Sequence, residues 1–205
     1  VYGMPDRSPI DESQPIQPIN PYGASKAMVE RILVDAASAY GLRSVSLRYF
    51  NAAGADPSAV IGESHDPETH LIPNLLKAAL DGSTVSIFGT DYATRDGTCV
   101  RDYVHVNDLA QAHLLALEYM QEHAGAHHYN LGSDAGYSVL EVVEAARRLT
   151  GEDIKTRSAA RRAGDPATLV ASSAAARQAL RWQPGYSDID SIVATAWRWH
   201  SRDRS

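Results

Sequence analysis

The chain is predicted to be an α/β protein built on a parallel or mixed sheet, and three observations predict it. Short apolar runs of strand length recur between longer stretches whose apolar residues follow helical spacing. Glycines and capping residues mark the changes of period. Composition is that of an ordinary globular protein, 44% apolar and 21% charged over 205 residues, which is material for one or two domains.

Residues 4–20 carry four prolines among polar residues and read as a loop. From about Tyr22 to Tyr40, Met28, Val29, Ile32, Leu33 and Ala36 recur at helical spacing, and Gly41 ends the helix. Ser44 to Phe50 alternates as a strand, and residues 51–70, rich in Gly, Pro, Asp and His, read as one long loop. A short helix is expected near Pro73–Leu80, with the proline in its first turn, and a strand over Thr84–Phe88. Asn107 or Asp108 is expected to cap a helix running to about Tyr119, ahead of a strand over His128–Leu131. Ser138 with Glu141 forms a capping-box pattern before a helix to about Leu149. A strand near Ile154–Arg157 follows. The last helix, about Ser187 to His200, places Ile189, Ile192, Val193 and Ala196 mostly on one face.

Charge and composition exclude several classes. A net charge of −6 gives no basic footprint for nucleic acid. No apolar run approaches the roughly 20 residues that cross a bilayer, so no membrane partner is expected. Cys99 is the single cysteine, so no internal disulfide can form, and a cytoplasmic location is the default expectation. His123, His127 and His128 lack an orderly ligand set, and Glu63, Asp66 and Glu68 read as solvated loop charges, so no metal is expected. There is no Gly-x-Ser-x-Gly elbow to suggest a hydrolase.

The most informative pair is Tyr22 and Lys26, four apart at the start of the first helix. That spacing places both side chains on one face, one turn apart. A fixed ammonium beside a phenol favours the phenolate, which makes the pair a candidate proton-abstracting base.

Several segments extend this pattern in register: Pro21 to Glu30, Leu47 to Ala55, Ile61 to His65, Thr69 to Pro73, Ile87 to Tyr92, Asp96 to Val106 and Arg161 to Pro166. In order and spacing they resemble the extended short-chain dehydrogenase/reductases, and within them the UDP-hexose 4-epimerases, from the first residue to about His200. The resemblance implies an incomplete NAD-binding Rossmann domain, a doubly wound parallel sheet, joined to a smaller α/β nucleotide-sugar-binding domain. Residues 1–52 would form the last part of the NAD-binding domain. Residues 53–205 would be mainly the nucleotide-sugar domain, with part of about 102–132 returning to the main sheet.

The chain opens at Val1-Tyr2-Gly3 and holds no glycine fingerprint of the kind that cradles a dinucleotide pyrophosphate. It is therefore expected to be a C-terminal fragment that binds NAD poorly on its own and lacks appreciable activity.

The resemblance also assigns roles. Tyr22 would take the proton of a sugar 4-hydroxyl during oxidation by bound NAD, and Lys26 would hold the nicotinamide ribose. Phe50 would lie near the nicotinamide. Asn51 would bond the sugar diphosphate of UDP-glucose or UDP-galactose, with His70 and Leu71 also touching substrate. Ser86, Ile87 and Phe88 would line a uracil pocket, largely through backbone atoms. Arg101 and Arg162 would meet the diphosphate, as forked donors do. Asp165 would meet the uridine ribose, and Leu169 would bear on which sugars fit. Asp134 departs from the glycine usual in its loop. A homodimer through the Tyr22 helix, on the face opposite the catalytic pair, is implied. The alternatives are another NAD-dependent nucleotide-sugar epimerase or dehydratase, or a non-catalytic dinucleotide-sensing relative.

Overall fold

The structure is a computed structural model that describes residues 1–202. Helix α1 (Pro21–Tyr40) begins where the side chain of Asn20 accepts the Gly23 N–H at 2.7 Å, with Pro21 at its first position. It ends at Gly41, whose φ of 69° is open to glycine at little cost. Strand β1 (Ser44–Tyr49) follows and pairs in parallel with β6 (Ala126–Leu131). Helix α2 (Leu71–Asp81), strand β3 (Thr84–Phe88) and strand β8 (Lys155–Ala159) also form near their expected positions, and β3 pairs with β8 in parallel.

The segment expected to be one long loop contains a strand. Strand β2 (Asn51–Ala53) pairs in parallel with β5 (Tyr103–His105), a partner some fifty residues away. Three residues are too few to show a period, and their ladder is specified from a distance. The same reason applies to β4 (Val100–Arg101), β7 (Tyr137–Ser138) and β9 (Thr168–Leu169), which form a three-stranded sheet in the order β7-β4-β9. The short helix α5 (Ala174–Leu180) is a further element that the sequence pattern does not predict.

Two apolar clusters organise the rest. One joins α2, α4 (Val139–Thr150), α6 (Ile189–His200), β3 and β5, with Leu75, Leu76, Val142, Val143, Ile192 and Val193 fully buried. The other joins β1, β6, α3 (Val106–Glu122) and α5 around Leu131, Ala112 and Trp182. Among the described residues no helix is long and apolar enough to cross a membrane.

The capping box of α4 forms as expected. Ser138 Oγ accepts the Glu141 N–H at 3.1 Å, and the Glu141 carboxylate accepts the Ser138 N–H at 2.8 Å. Ser138 is fully buried and also donates to the Asp96 carboxylate. Ser138→Ala is expected to lower the unfolding free energy by about 1–2 kcal/mol, read as a lower urea midpoint at unchanged slope.

The cap of α3 differs from expectation. It is His105, whose Nδ1 accepts the Asn107 N–H at 3.1 Å, while Asp108 instead accepts the N–H groups of Gly185 (2.7 Å) and Tyr186 (3.0 Å). Histidine escapes the usual capping list because only its neutral, unprotonated nitrogen can accept. With Nδ1 accepting, Nε2 carries the proton and donates to Thr195 Oγ1 at 2.9 Å, and that hydroxyl in turn donates to the Ile192 carbonyl at 2.9 Å.

Burial lowers the pKa of His105 from its ordinary 6.5, although the carboxylates of Asp108 and Asp56 pull the other way. A depressed pKa means this stabilisation is complete above about pH 6.5 and is lost as pH falls through the folded value. The urea midpoint is expected to drop between about pH 7.5 and about pH 5.5, and His105→Asn, a cap that does not titrate, removes that part of the drop.

Candidate active site

Tyr22 and Lys26 lie on the first two turns of α1, and the Lys26 Nζ stands 5.3 Å from the centre of the Tyr22 ring. Tyr22 is 73% exposed, so the pair faces outward rather than into a core. The helix is held in register by a buried network that sequence reasoning missed. Arg48 on β1 donates to Glu30 on α1 at 2.8 Å and to the Tyr2 hydroxyl at 2.6 Å. Tyr2 donates in turn to Asn130 Oδ1 on β6 at 2.7 Å. Burial works against the charge on Arg48, and the hydrogen bonds it donates to Glu30 and Tyr2, with their attraction for its charge, outweigh it, raising its pKa. Glu30 follows Lys26 by one turn, so this network fixes the stretch of helix that carries the pair. Its only sequence signal is an arginine at a strand position that otherwise reads as half-buried.

A cavity of about 620 Å³ opens beside α2 and β3. It gathers nine of the thirteen predicted residues: Asn51 from β2; His70 and Leu71 from the start of α2; Ser86, Ile87 and Phe88 from β3; and Arg101, Arg162 and Asp165. Tyr22, Lys26, Phe50 and Leu169 are not among its lining residues. Leu169 stands opposite Arg101 in the β4–β9 ladder and is half-buried. Residues not anticipated also line the cavity, among them Asn74, Cys99 and Tyr103. Burial raises the pKa of the Cys99 thiol and of the Tyr103 phenol, so both are held neutral. Asn74 was findable, since it follows His70 by one helical turn, and its side chain donates to the His70 carbonyl at 2.8 Å.

The two arginines are the telling part of the wall. Arg101 Nη1 donates to the carbonyls of Val100 and Pro166, both at 2.9 Å. Its Nη2 is buried, lies 3.4 Å from an Asp165 carboxylate oxygen, and makes no hydrogen bond among the described residues. At that distance the two charges attract without hydrogen-bond geometry. Neither neighbouring carboxylate in sequence is the partner. Asp96 bonds Thr98 and Ser138, and Asp102 accepts the N–H groups of Ser133 (2.7 Å) and Ala171 (2.9 Å). Arg162 lays its guanidinium over the Phe88 ring at 4.1 Å, inside the cavity. Arg161 turns away to Asp91 and the Tyr92 ring. The structure thus separates two arginines that the sequence leaves alike.

Asn51 donates from Nδ2 to the Asp102 carbonyl at 2.6 Å. Ser86 Oγ accepts from Arg157 at 3.0 Å, and the Ile87 side chain is buried. His70 caps no N–H of α2; its Nδ1 lies 2.7 Å from Glu63 and 3.0 Å from Glu68.

One expectation for this loop is corrected. Glu68 is not a solvated charge: its side chain is 3% exposed and accepts the N–H groups of Thr69 (2.7 Å) and His70 (2.8 Å). Burial opposes its ionisation, but those N–H groups outweigh it and hold the carboxyl below its ordinary value. Asp134, at φ 65°, bonds Ser173 N and Arg177, which accounts for a non-glycine residue in that turn. His123 and His127 pack on the Tyr119 ring, stacked and edge-on.

The fold and the pair on α1 define a class, and comparison with known proteins agrees with it. The family profile for the NAD dependent epimerase/dehydratase family matches residues 1–132. The chain belongs to that family. It is 54% identical over 202 residues to the UDP-glucose 4-epimerase of Streptococcus mutans, covering 98% of this chain and 61% of that protein. Two solved structures superpose closely: the UDP-glucose 4-epimerase of Brucella ovis in complex with NAD (TM-score 0.93, 49% identity, 97% of this chain and 62% of that one) and that of Bifidobacterium longum with NAD+ and UDP (TM-score 0.92, 38% identity, 100% and 62%). The chain spans about 60% of the length of the relatives it matches.

Proposed function

We propose that this chain supplies the acid–base pair and the UDP-sugar cleft of an NAD-dependent, cytoplasmic UDP-glucose 4-epimerase, interconverting UDP-galactose and UDP-glucose. The observation that carries the reading is the buried Arg101 Nη2, left without a hydrogen bond among the described residues in a cavity that Arg162 also lines. A diphosphate oxygen supplies the acceptor such a group lacks. Asp165 then has a place beside the uridine ribose, backbone of Ser86–Phe88 beside the uracil, and Asn51, His70 and Leu71 along the diphosphate and sugar.

Tyr22 sits in the first turn of α1, the end of a helix where backbone dipoles favour negative charge. Its oxygen would take the proton of the sugar 4-hydroxyl and return it to O4 after the 4-keto sugar has turned in the site to present the other face of C4. Lys26, one turn on, holds ribose hydroxyls and the local positive charge. NAD, when bound, supplies the oxidation and reduction at C4. The residues present fit the nicotinamide-ribose end of that cofactor, with an exposed Tyr–Lys pair and Phe50 at the end of β1; they include no glycine turn for its pyrophosphate.

Residues 1–52 with part of 102–132 are read as the cofactor domain, supported by the cluster joining β1, β6 and α3, and most of 53–205 as the sugar domain. A homodimer through α1 is part of the same reading. Of that helix only Gly23 is buried, while Met28 (65%), Val29 (51%) and Ile32 (64%) are exposed. Arg31 and Asp35, an ion pair, stand about two and a half turns on from Tyr22 and Lys26, and so opposite them. The apolar stripe thus flanks the catalytic pair, and the contact is sought there.

The test is conversion of UDP-galactose to UDP-glucose by the protein expressed from its complete reading frame. Equilibration of the two sugars supports the reading. A protein that carries NAD and binds UDP yet equilibrates neither refutes it.

A further inference from the structure

We propose that Glu63, His65, Glu68 and His70 form a binding site for a divalent cation of the zinc class. In sequence they make two Glu-x-His dyads five residues apart. In space each offers a ligand atom, and the four atoms lie within 4.8 Å of one another. The Nδ1 atoms of both rings point inward, each 2.7 Å from the same Glu63 oxygen, and His70 Nδ1 is also 3.0 Å from Glu68. A bound zinc ion holds nitrogen and oxygen ligands at about 2.0–2.2 Å in tetrahedral geometry, so ligand atoms around one ion sit about 3.3–3.6 Å apart. Small side-chain rotations close the difference. Two carboxylates and two imidazoles balance one divalent charge, and imidazole nitrogen with carboxylate oxygen selects zinc-like ions over magnesium or calcium.

The ligands are built in rather than scattered on a surface. Glu63 is anchored by its carbonyl, which accepts the Trp199 indole N–H at 2.8 Å. The Glu68 carboxylate is almost fully buried and fixed by two backbone N–H groups, and His70 stands at the N-terminus of a core helix. Beside them a second, smaller cavity of about 160 Å³, lined in part by Glu63, His65 and Glu68, gives room for an ion and water. Lys77, His200 and Arg202 face the same cavity and set a limit on its affinity. Coordination needs Nδ1 free, so each ring proton moves to Nε2 and any second proton leaves to solvent. The ion ties the 63–70 loop to α2 and fixes His70, which also lines the larger cavity.

Equilibrium dialysis of the full protein against zinc chloride, followed by metal quantification, is the test. One zinc per chain is expected, falling at least tenfold in Glu63→Gln/His65→Gln. His65→Gln alone, at a ring 56% exposed, gives the same direction of change without disturbing the fold. Zinc should raise the melting temperature of the wild type and not of either variant. Cobalt in place of zinc should give visible d–d absorption that the variants lose. Equal zinc binding by wild type and variants, or binding lost only in His123→Gln/His127→Gln, overturns the proposal, as does displacement of zinc by equimolar magnesium.

Discussion

Tyr22→Phe in the full protein is expected to slow UDP-galactose turnover by about 10²- to 10⁴-fold, the usual weight of a positioned acid–base group. The phenylalanine keeps the ring and its contact with Lys26, so helix, cleft and UDP affinity should be unchanged. In the proposed mechanism the change removes only the oxygen that would exchange a proton with O4, and so it should appear in kcat with little effect on binding. Retained turnover at the wild-type rate would remove Tyr22 from the chemistry. Its 73% exposure makes the variant safe to interpret, because no core packing is lost.

Arg101→Leu is expected to weaken UDP binding by about 2–4 kcal/mol, roughly 30- to 1000-fold in Kd, measured by calorimetry. Its guanidinium is pinned by the Val100 and Pro166 carbonyls with Nη2 directed at the space beside Asp165. Removing it costs a charged donor and leaves Asp165 without its cation. Arg161→Leu is the control. That side chain belongs to Asp91 and the Tyr92 ring, so UDP affinity should stay within a factor of about two. Equal losses in both variants would mean that Arg101 acts only as part of a general positive field.

Helix α1 and strand β1 were legible because their periods run for whole turns and pleats and the helix ends on a local signal, Gly41. The α4 capping box was legible for the same reason. The ladder of β2 with β5 and the β7-β4-β9 sheet were not, since two or three residues carry no period and take their partners from far along the chain. His105 as the α3 cap was hidden because its role depends on protonation state. At the site, sequence and resemblance together identified residues that converge on one cavity. Residue type alone does not separate Arg161 from Arg162; only the resemblance names Arg162, the one of the two that lines the cavity. Neither sequence nor resemblance could show that Glu68 is buried, because an acidic loop residue reads the same whether backbone N–H groups await it or not.

The most direct test of the Tyr22 mechanism follows a deuterium label. UDP-galactose deuterated at C4 is converted by the full protein, and the UDP-glucose formed is analysed by NMR. If Tyr22 handles only the proton on O4 while C4 is oxidised and reduced within the site, the deuterium remains at C4 of the product. Loss of the label to solvent would show a proton taken from carbon instead, and would contradict the role of Tyr22 as a base acting on O4 alone.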